Sequence, residues 1–236
     1  MNFASKTQIR LLSLGDCNTS GPEKNRFVKS VPEHFAMCLE SHGYQVEHKN
    51  LGYTMCTSRE GAAILKSVSG HFDLVIINFG LVDSWVIPCP RIYVSYYPDN
   101  FLKKFFRKLL KTSRKRLRST SLYRHLPRGM VVDKQEYKLN IENIIRKSKL
   151  LNHKINIIIW GTFLTNDEPE RNRNILDYND ILENIAVSNN ATFIDTIKLL
   201  SSTGTEILID KVHLSNKAAK IIADEIFKRL NSFSIL

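Results

Sequence analysis

Near its carboxyl end the chain reads LIDKVHLSNKAAKII, which sets Asp210 and His213 apart by two residues. One tight turn at that spacing presents a carboxylate and an imidazole on the same side. Such a pair suits general-base work, because the carboxylate fixes the imidazole tautomer and stabilises the imidazolium that forms after proton transfer. Taken alone, the pair also fits a solvated cap ahead of a helix. Near the amino end, LLSLGDCNTSG stops an aliphatic run at a glycine and then offers an acid, a thiol, an amide and a hydroxyl. A thiol ionises near 8.5, and lower beside a helix N-terminus or an imidazolium, so Cys17 brought against His213 would be a competent nucleophile.

Two residues 196 positions apart meet only if the fold brings them together. The hydropathy pattern alternates short apolar runs with longer helical stretches, the signature of a parallel sheet covered on both faces. Strands are expected at residues 9 to 15, 44 to 51, 73 to 80, 155 to 161 and 191 to 196, and helices near 24 to 42, 58 to 69, 134 to 151, 170 to 188 and 216 to 231. Pro32 should delay or kink the first helix. Ser215 is placed to cap the last, whose Ala218, Ile221, Ile222, Ile226 and Leu230 fall along one side. Ligands of open parallel sheets bind outside the carboxyl ends of the strands. That rule gathers Gly15 to Thr19, Gly80 to Trp85 and the segment before the last helix on a common rim.

The 236 residues, 43% hydrophobic, suffice for one α/β domain without disulfides or a structural metal. Cys17, Cys38, Cys56 and Cys89 form no CxxC pair, which argues against a zinc knuckle, and no metal or organic cofactor is implied. The amino terminus lacks a charged region followed by about 7 to 15 apolar residues, and nothing reaches the roughly 18 of a membrane span. A cytoplasmic protein, at most peripheral to a membrane, is the expectation. The net charge of +11 sits in one place: residues 103–128 hold eleven Lys and Arg and no acid, which leaves 23 bases against 23 acids elsewhere. Phe105, Phe106, Leu109 and Leu110 interleave with those bases at helical spacing. This segment is either a solvated helix whose apolar side packs on the domain or a surface for an anionic glycan, a phosphorylated carrier or an anionic membrane. Nucleic acid ranks last, since no nucleic-acid module accompanies the run. The segment lies in an insertion at about 84 to 132, and loops of that length are uncommon unless functional.

In order and position, GDCNTSG, FGLVDSW and DKVH resemble blocks I, III and V of the SGNH (GDSL-like) hydrolases. The resemblance covers nearly the whole chain apart from the insertion. It implies a flavodoxin-like three-layer α/β/α sandwich with a five-stranded parallel sheet and a basic helical insertion after the third strand. The implied activity is that of an acyl ester hydrolase or O-acyltransferase. Cys17 then stands where the family has its nucleophilic serine, His213 matches the base and Asp210 the acid that orients it. A subgroup with G-x-V-D and a following P-R, similar to GLVDSWVIPCPR here, is associated with bacterial surface polysaccharides, which points to an acylated carbohydrate or, for a transferase, an activated acyl donor as partner.

Two departures bear on turnover. The family's third block has an asparagine that stabilises the oxyanion, where this chain has Val82. The second block, normally a glycine whose N–H points into the same hole, corresponds to NLGYTMCTSREG, where Gly52 and Met55 compete for the role. Cys17 itself admits three readings: a natural thiol nucleophile, an introduced replacement of serine, or a relic in a non-catalytic protein that binds an anionic glycan or membrane surface. Asp16 is expected to orient the nucleophile turn and, with Asp83, Trp85 and Arg91, to stand among the substrate contacts; Asp83 and Arg91 alternatively pair with each other. Trp85 and Trp160 are candidates for an apolar wall against a sugar ring, with a core position the alternative for both. Asn18 and Thr19 are expected to cap the segment that follows. The oligomeric state is not written in the sequence.

Overall fold

The computed structural model describes residues 7–21, 28–117, 120–204 and 206–232. In chain order its elements are β1 (Gln8–Gly15), α1 (Cys17–Ser20), α2 (Val31–Ser41), β2 (Gln45–Asn50), α3 (Ser58–Ile64), β3 (Leu74–Asn78), β4 (Val86–Pro88), α4 (Phe101–Leu117), α5 (Leu122–His125), β5 (Arg128–Met130), α6 (Lys134–Leu151), β6 (Asn156–Trp160), α7 (Pro169–Asn189), β7 (Thr192–Ile194), α8 (Thr196–Ser201) and α9 (Asn216–Ser232). Five strands form a parallel sheet in the order β2-β1-β3-β6-β7, with β1 and β3 in register from Leu11 opposite Leu74 to Gly15 opposite Asn78.

Helices cover both faces, which is why β3 is buried along its whole length and reads as a continuous apolar run. Alternate residues of each strand feed two cores. Leu12 and Leu14 of β1, Val75 and Ile77 of β3 and Ile157 and Ile159 of β6 pack under α3, α6 and α7, alongside Tyr137, Ile141 and Tyr178. Leu11, Leu74, Ile76, Ile158 and Trp160 face the other way, against Phe35 and Leu39 of α2 and Ala218, Ile222 and Ile226 of α9. This is the three-layer α/β/α sandwich expected, and Trp160 belongs to its core rather than to a binding wall. The sequence expects the first helix to start near residue 24; α2 begins at Val31, with Pro32 in its first turn, where a missing N–H leaves no helical bond unmade. Residues 22–27 lie outside the described part of that expectation. Ser215 caps α9 as anticipated, its Oγ accepting the Ala218 N–H at 3.1 Å.

The insertion after β3 is not one loop. It contains an antiparallel β4–β5 hairpin that pairs Val86 with Met130, and the basic helix α4, capped by Asn100 Oδ1, which accepts the Lys103 N–H at 2.9 Å. Among the described residues no helix is long and apolar enough to cross a membrane.

Candidate active site

The rim begins where β1 ends. At Gly15 a Cβ would stand 2.1 Å from Thr19 Oγ1 and 2.4 Å from the Asn78 carbonyl, so only glycine lets α1 fold back over the strand end. The next residue, Asp16, caps α1, its Oδ1 accepting the Asn18 N–H at 3.0 Å. Cys17 follows as the first helical residue, buried, with its N–H engaged by no other described residue. Burial pushes the thiol well above its ordinary pKa, and the neighbouring Asp16 carboxylate pushes the same way while Arg171 opposes both. Burial likewise raises the Asp16 carboxyl to about 7, against the pull of the Asn18 N–H.

At the other end of the chain, Asp210 organises a turn. Its Oδ1 accepts the N–H groups of Val212 and His213, each at 2.8 Å, and its Oδ2 lies 2.7 Å from His213 Nδ1. Partial burial alone would raise this carboxyl, but the bonds from the His213 ring and the two N–H groups outweigh it and hold it below the ordinary carboxylate value. With Nδ1 turned to Asp210, the ring's Nε2 is left for the rim. Bonds from the Ile209 N–H to the His213 carbonyl and from the Ser215 N–H to the Ile207 carbonyl close the loop's base.

Asn18, expected only to cap, joins the two halves. Its Nδ2 donates to the Val212 carbonyl at 3.2 Å and its Oδ1 accepts the Leu214 N–H at 3.0 Å, so one amide grips the chain on both sides of His213. The structure thereby brings Cys17, His213 and Asp210 to one rim, as their spacing on a parallel sheet requires. Among the described residues no hydrogen bond joins Cys17 Sγ to the His213 ring.

The loop after β2 separates Gly52 from Met55. The Gly52 N–H is held by Asn50 Oδ1 at 2.9 Å, and its missing side chain serves close passage over α1, where a Cβ would come within 2.5 Å of the Ser20 nitrogen. Met55 is left-handed, with φ 58°, the conformation in which a glycine costs least, and its N–H is bonded to no other described residue. Its carbonyl accepts the Tyr93 hydroxyl at 3.3 Å.

Two expected substrate contacts need correction. Asp16 and Asp83 are both fully buried. Asp83 Oδ1 accepts the Ser58 N–H at 2.9 Å and the Ser58 hydroxyl at 2.6 Å, which ties the turn after β3 to the start of α3, and burial raises its carboxyl to about 6. Arg91 does not pair with it; it sits exposed on the short turn Pro90–Ile92. Val82 is buried and brings no donor to the rim. Sequence reasoning missed Arg171, whose guanidinium donates to the Leu81 carbonyl and pairs with Glu168 at 2.7 Å. The only signal was Glu168 three residues before an arginine at a helix start.

Beside the rim lies a cavity of about 1040 Å³, walled by Trp85, Tyr93 and Tyr96 on one side and by Arg107, Lys111 and Arg114 of α4 on another. Cys17 and His213 do not line it, but Arg171 and Asp167 do, and Asp167 pairs with Lys211 of the Asp210–His213 turn at 3.6 Å. Of the four side chains expected to contact substrate, Trp85 alone faces this space.

No family model and no curated protein sequence matches the chain. Solved structures do. A member of the lipolytic G-D-S-L family from Veillonella parvula aligns with a TM-score of 0.63 at 14% identity, covering 95% of this chain and 99% of that one. A catalytic mutant of an acetylxylan esterase from Geobacillus stearothermophilus gives 0.62 at 20% identity, covering 95% of each chain. A lipase/acylhydrolase from Enterococcus faecalis gives 0.63 at 16%, covering 95% and 96%. At such identities the likeness establishes a shared architecture, the α/β/α sandwich on which these lipolytic hydrolases are built.

Proposed function

We propose that the chain is an SGNH-type acyl ester hydrolase or O-acyltransferase acting on a carbohydrate, a bacterial surface glycan or its precursor, with Cys17 as nucleophile, His213 as base and Asp210 as its orienting acid. The observation that carries this reading is the Asn18 clamp, which fixes the Asp210–His213 turn against the turn that bears the thiol.

Burial disfavours the thiolate of Cys17, so proton removal accompanies attack instead of preceding it. His213 Nε2 takes the thiol proton as sulfur bonds to the acyl carbonyl carbon, and Asp210 stabilises the imidazolium through Nδ1–H. The oxyanion is received by the N–H groups of Cys17 and Met55, neither of which is bonded to another described residue. Collapse of the tetrahedral intermediate breaks the ester C–O bond, and the departing sugar oxygen takes the proton from His213. The thioester left on Cys17 is then attacked by water, or by the hydroxyl of an acceptor sugar, whose proton His213 takes; the C–S bond breaks and His213 returns that proton to the departing sulfur, which restores the thiol. The cavity beside the rim, with Trp85 and two tyrosines on its wall, suits the sugar portion, since aromatic faces pack on sugar rings.

Val82 favours a second reading, a non-catalytic protein that keeps the fold and binds an anionic glycan, because one missing oxyanion donor costs about 3 kcal/mol of transition-state stabilisation. Acetate release from acetylated xylan oligomers and from a chromogenic acetyl ester separates the two. An enzyme releases acetate in a His213-dependent manner; a binder releases none above the His213→Ala background.

A further inference from the structure

An amphipathic helix on a globular domain normally turns its apolar side inward and its charges outward. Helix α4 does the reverse. Its seventeen residues include eight Lys and Arg and no acid, and none of them is buried. The side that meets the body does so through polar contacts at positions spaced for one face. Lys103 Nζ donates to Ser95 Oγ and to the Tyr97 carbonyl, both at 2.9 Å. Arg107 donates to the Ser95 carbonyl at 2.8 Å, pairs with Asp99 and lies 4.3 Å over the Tyr96 ring. Arg114 reaches the Pro88 carbonyl at 3.3 Å. Turned away from the body, Phe101, Leu102, Phe105, Phe106 and Leu109 are exposed, by 82% at Phe101 and never less than 51%. The basic side chains thus hold the helix down while its apolar face meets solvent.

We propose that this face docks the protein on an anionic phospholipid bilayer, with α4 lying in the interfacial plane. Five large apolar side chains on one side of a strongly basic helix of low overall hydrophobicity fit an interfacial helix, which buries its apolar face at the headgroup boundary. Lys104, Lys108, Lys111 and Lys115 are exposed along one edge of the apolar stripe, the last three on the border between that stripe and the cavity. Lys108, Lys111 and Lys115 have no acidic partner among the described residues, and their flexible stems let the ammonium groups reach lipid phosphates while the rings insert. A second copy of the chain is a poor occupant, since it would set eight like charges against eight. The cavity lies on the body-facing side of the same helix, so docking would hold that space next to the membrane surface. The inference does not depend on the esterase reading.

The test is sedimentation of the full chain with vesicles of phosphatidylcholine alone and of phosphatidylcholine mixed with phosphatidylglycerol, for wild type and the double variant Phe105→Glu, Phe106→Glu. Both substituted side chains are solvent-exposed, so the variant should fold, with unchanged circular dichroism and unchanged hydrolysis of a chromogenic acetyl ester. The expected result is wild-type binding to anionic vesicles, little to neutral ones, weakening with salt, and a loss of about 10-fold or more in the variant. Absence of binding to anionic vesicles would overturn the proposal. So would equal binding by the variant, which would reveal a plain polyanion site, or a lipid-free dimer that the same substitutions dissolve.

Discussion

The N–H of Leu214 donates to Asn18 Oδ1 across 196 residues of sequence, and this bond, with its companion from Asn18 Nδ2 to Val212, sets where the imidazole stands relative to the thiol. Replacing Asn18 by Ala removes both. Each half-buried hydrogen bond contributes about 1 kcal/mol, so the thermal midpoint should fall modestly while acetyl ester hydrolysis falls much further. A loss of stability with full activity would show that the clamp does not position His213.

His213→Ala should reduce turnover by about 10²–10⁴-fold, the usual contribution of a positioned base. Asp210→Asn leaves the fold intact, because the turn is also closed by backbone bonds, yet removes the charge facing Nδ1. Steady-state kinetics should therefore show kcat lowered with KM little changed in both variants.

Val82→Asn places an amide where the turn after β3 now offers only a methyl-bearing side chain. If the rim holds an oxyanion, kcat should rise by up to about 10²-fold. An unchanged kcat would mean that the pair of N–H groups on Cys17 and Met55 is already sufficient, or that this turn does not face the reacting carbonyl; the double variant with Cys17→Ser distinguishes these, since a serine oxyanion hole gains from the third donor.

Two buried carboxyls make stability fall as pH rises. Asp16 and Asp83 hold their protons in the folded chain up to about 7 and about 6, from an ordinary 3.8. Between about pH 4 and pH 7 the folded state therefore binds more protons than the unfolded one, and the stability present below the ordinary value is lost as pH rises through the folded values. Asp16→Asn keeps the acceptor for the Asn18 N–H and removes the titration. Its thermal midpoint should decline less steeply over that range than that of wild type; an equal slope would contradict the burial account.

The strands were legible because a sheet covered on both faces demands unbroken apolar runs, as at Leu74–Asn78, and the last helix because Ser215 caps a regular apolar stripe. The turns that carry Cys17, Asp210 and His213 could be placed from short-range pattern, since each sits at a strand end or just before a helix start. The rest depended on contacts that no local pattern encodes. Hydropathy shows that α4 is amphipathic, but which side meets the body is decided by Ser95, Asp99 and Tyr96 receiving its bases. Arg171 gains its place from the Leu81 carbonyl, and Met55 from a left-handed turn that its residue type does not announce. Burial, equally invisible in sequence, took Asp16 and Asp83 out of reach of a ligand.

The central claim is that Cys17 carries the acyl group. Brief mixing with a chromogenic acetyl ester, acid quench and peptide mass spectrometry reads this directly, with Cys38 as the internal control for unassisted acetylation of a partly exposed thiol. The account predicts an acetyl group on Cys17 in wild type, accumulating faster than on Cys38 and lost in His213→Ala; acetylation of Cys17 no faster than of Cys38, or undiminished without the imidazole, would contradict it.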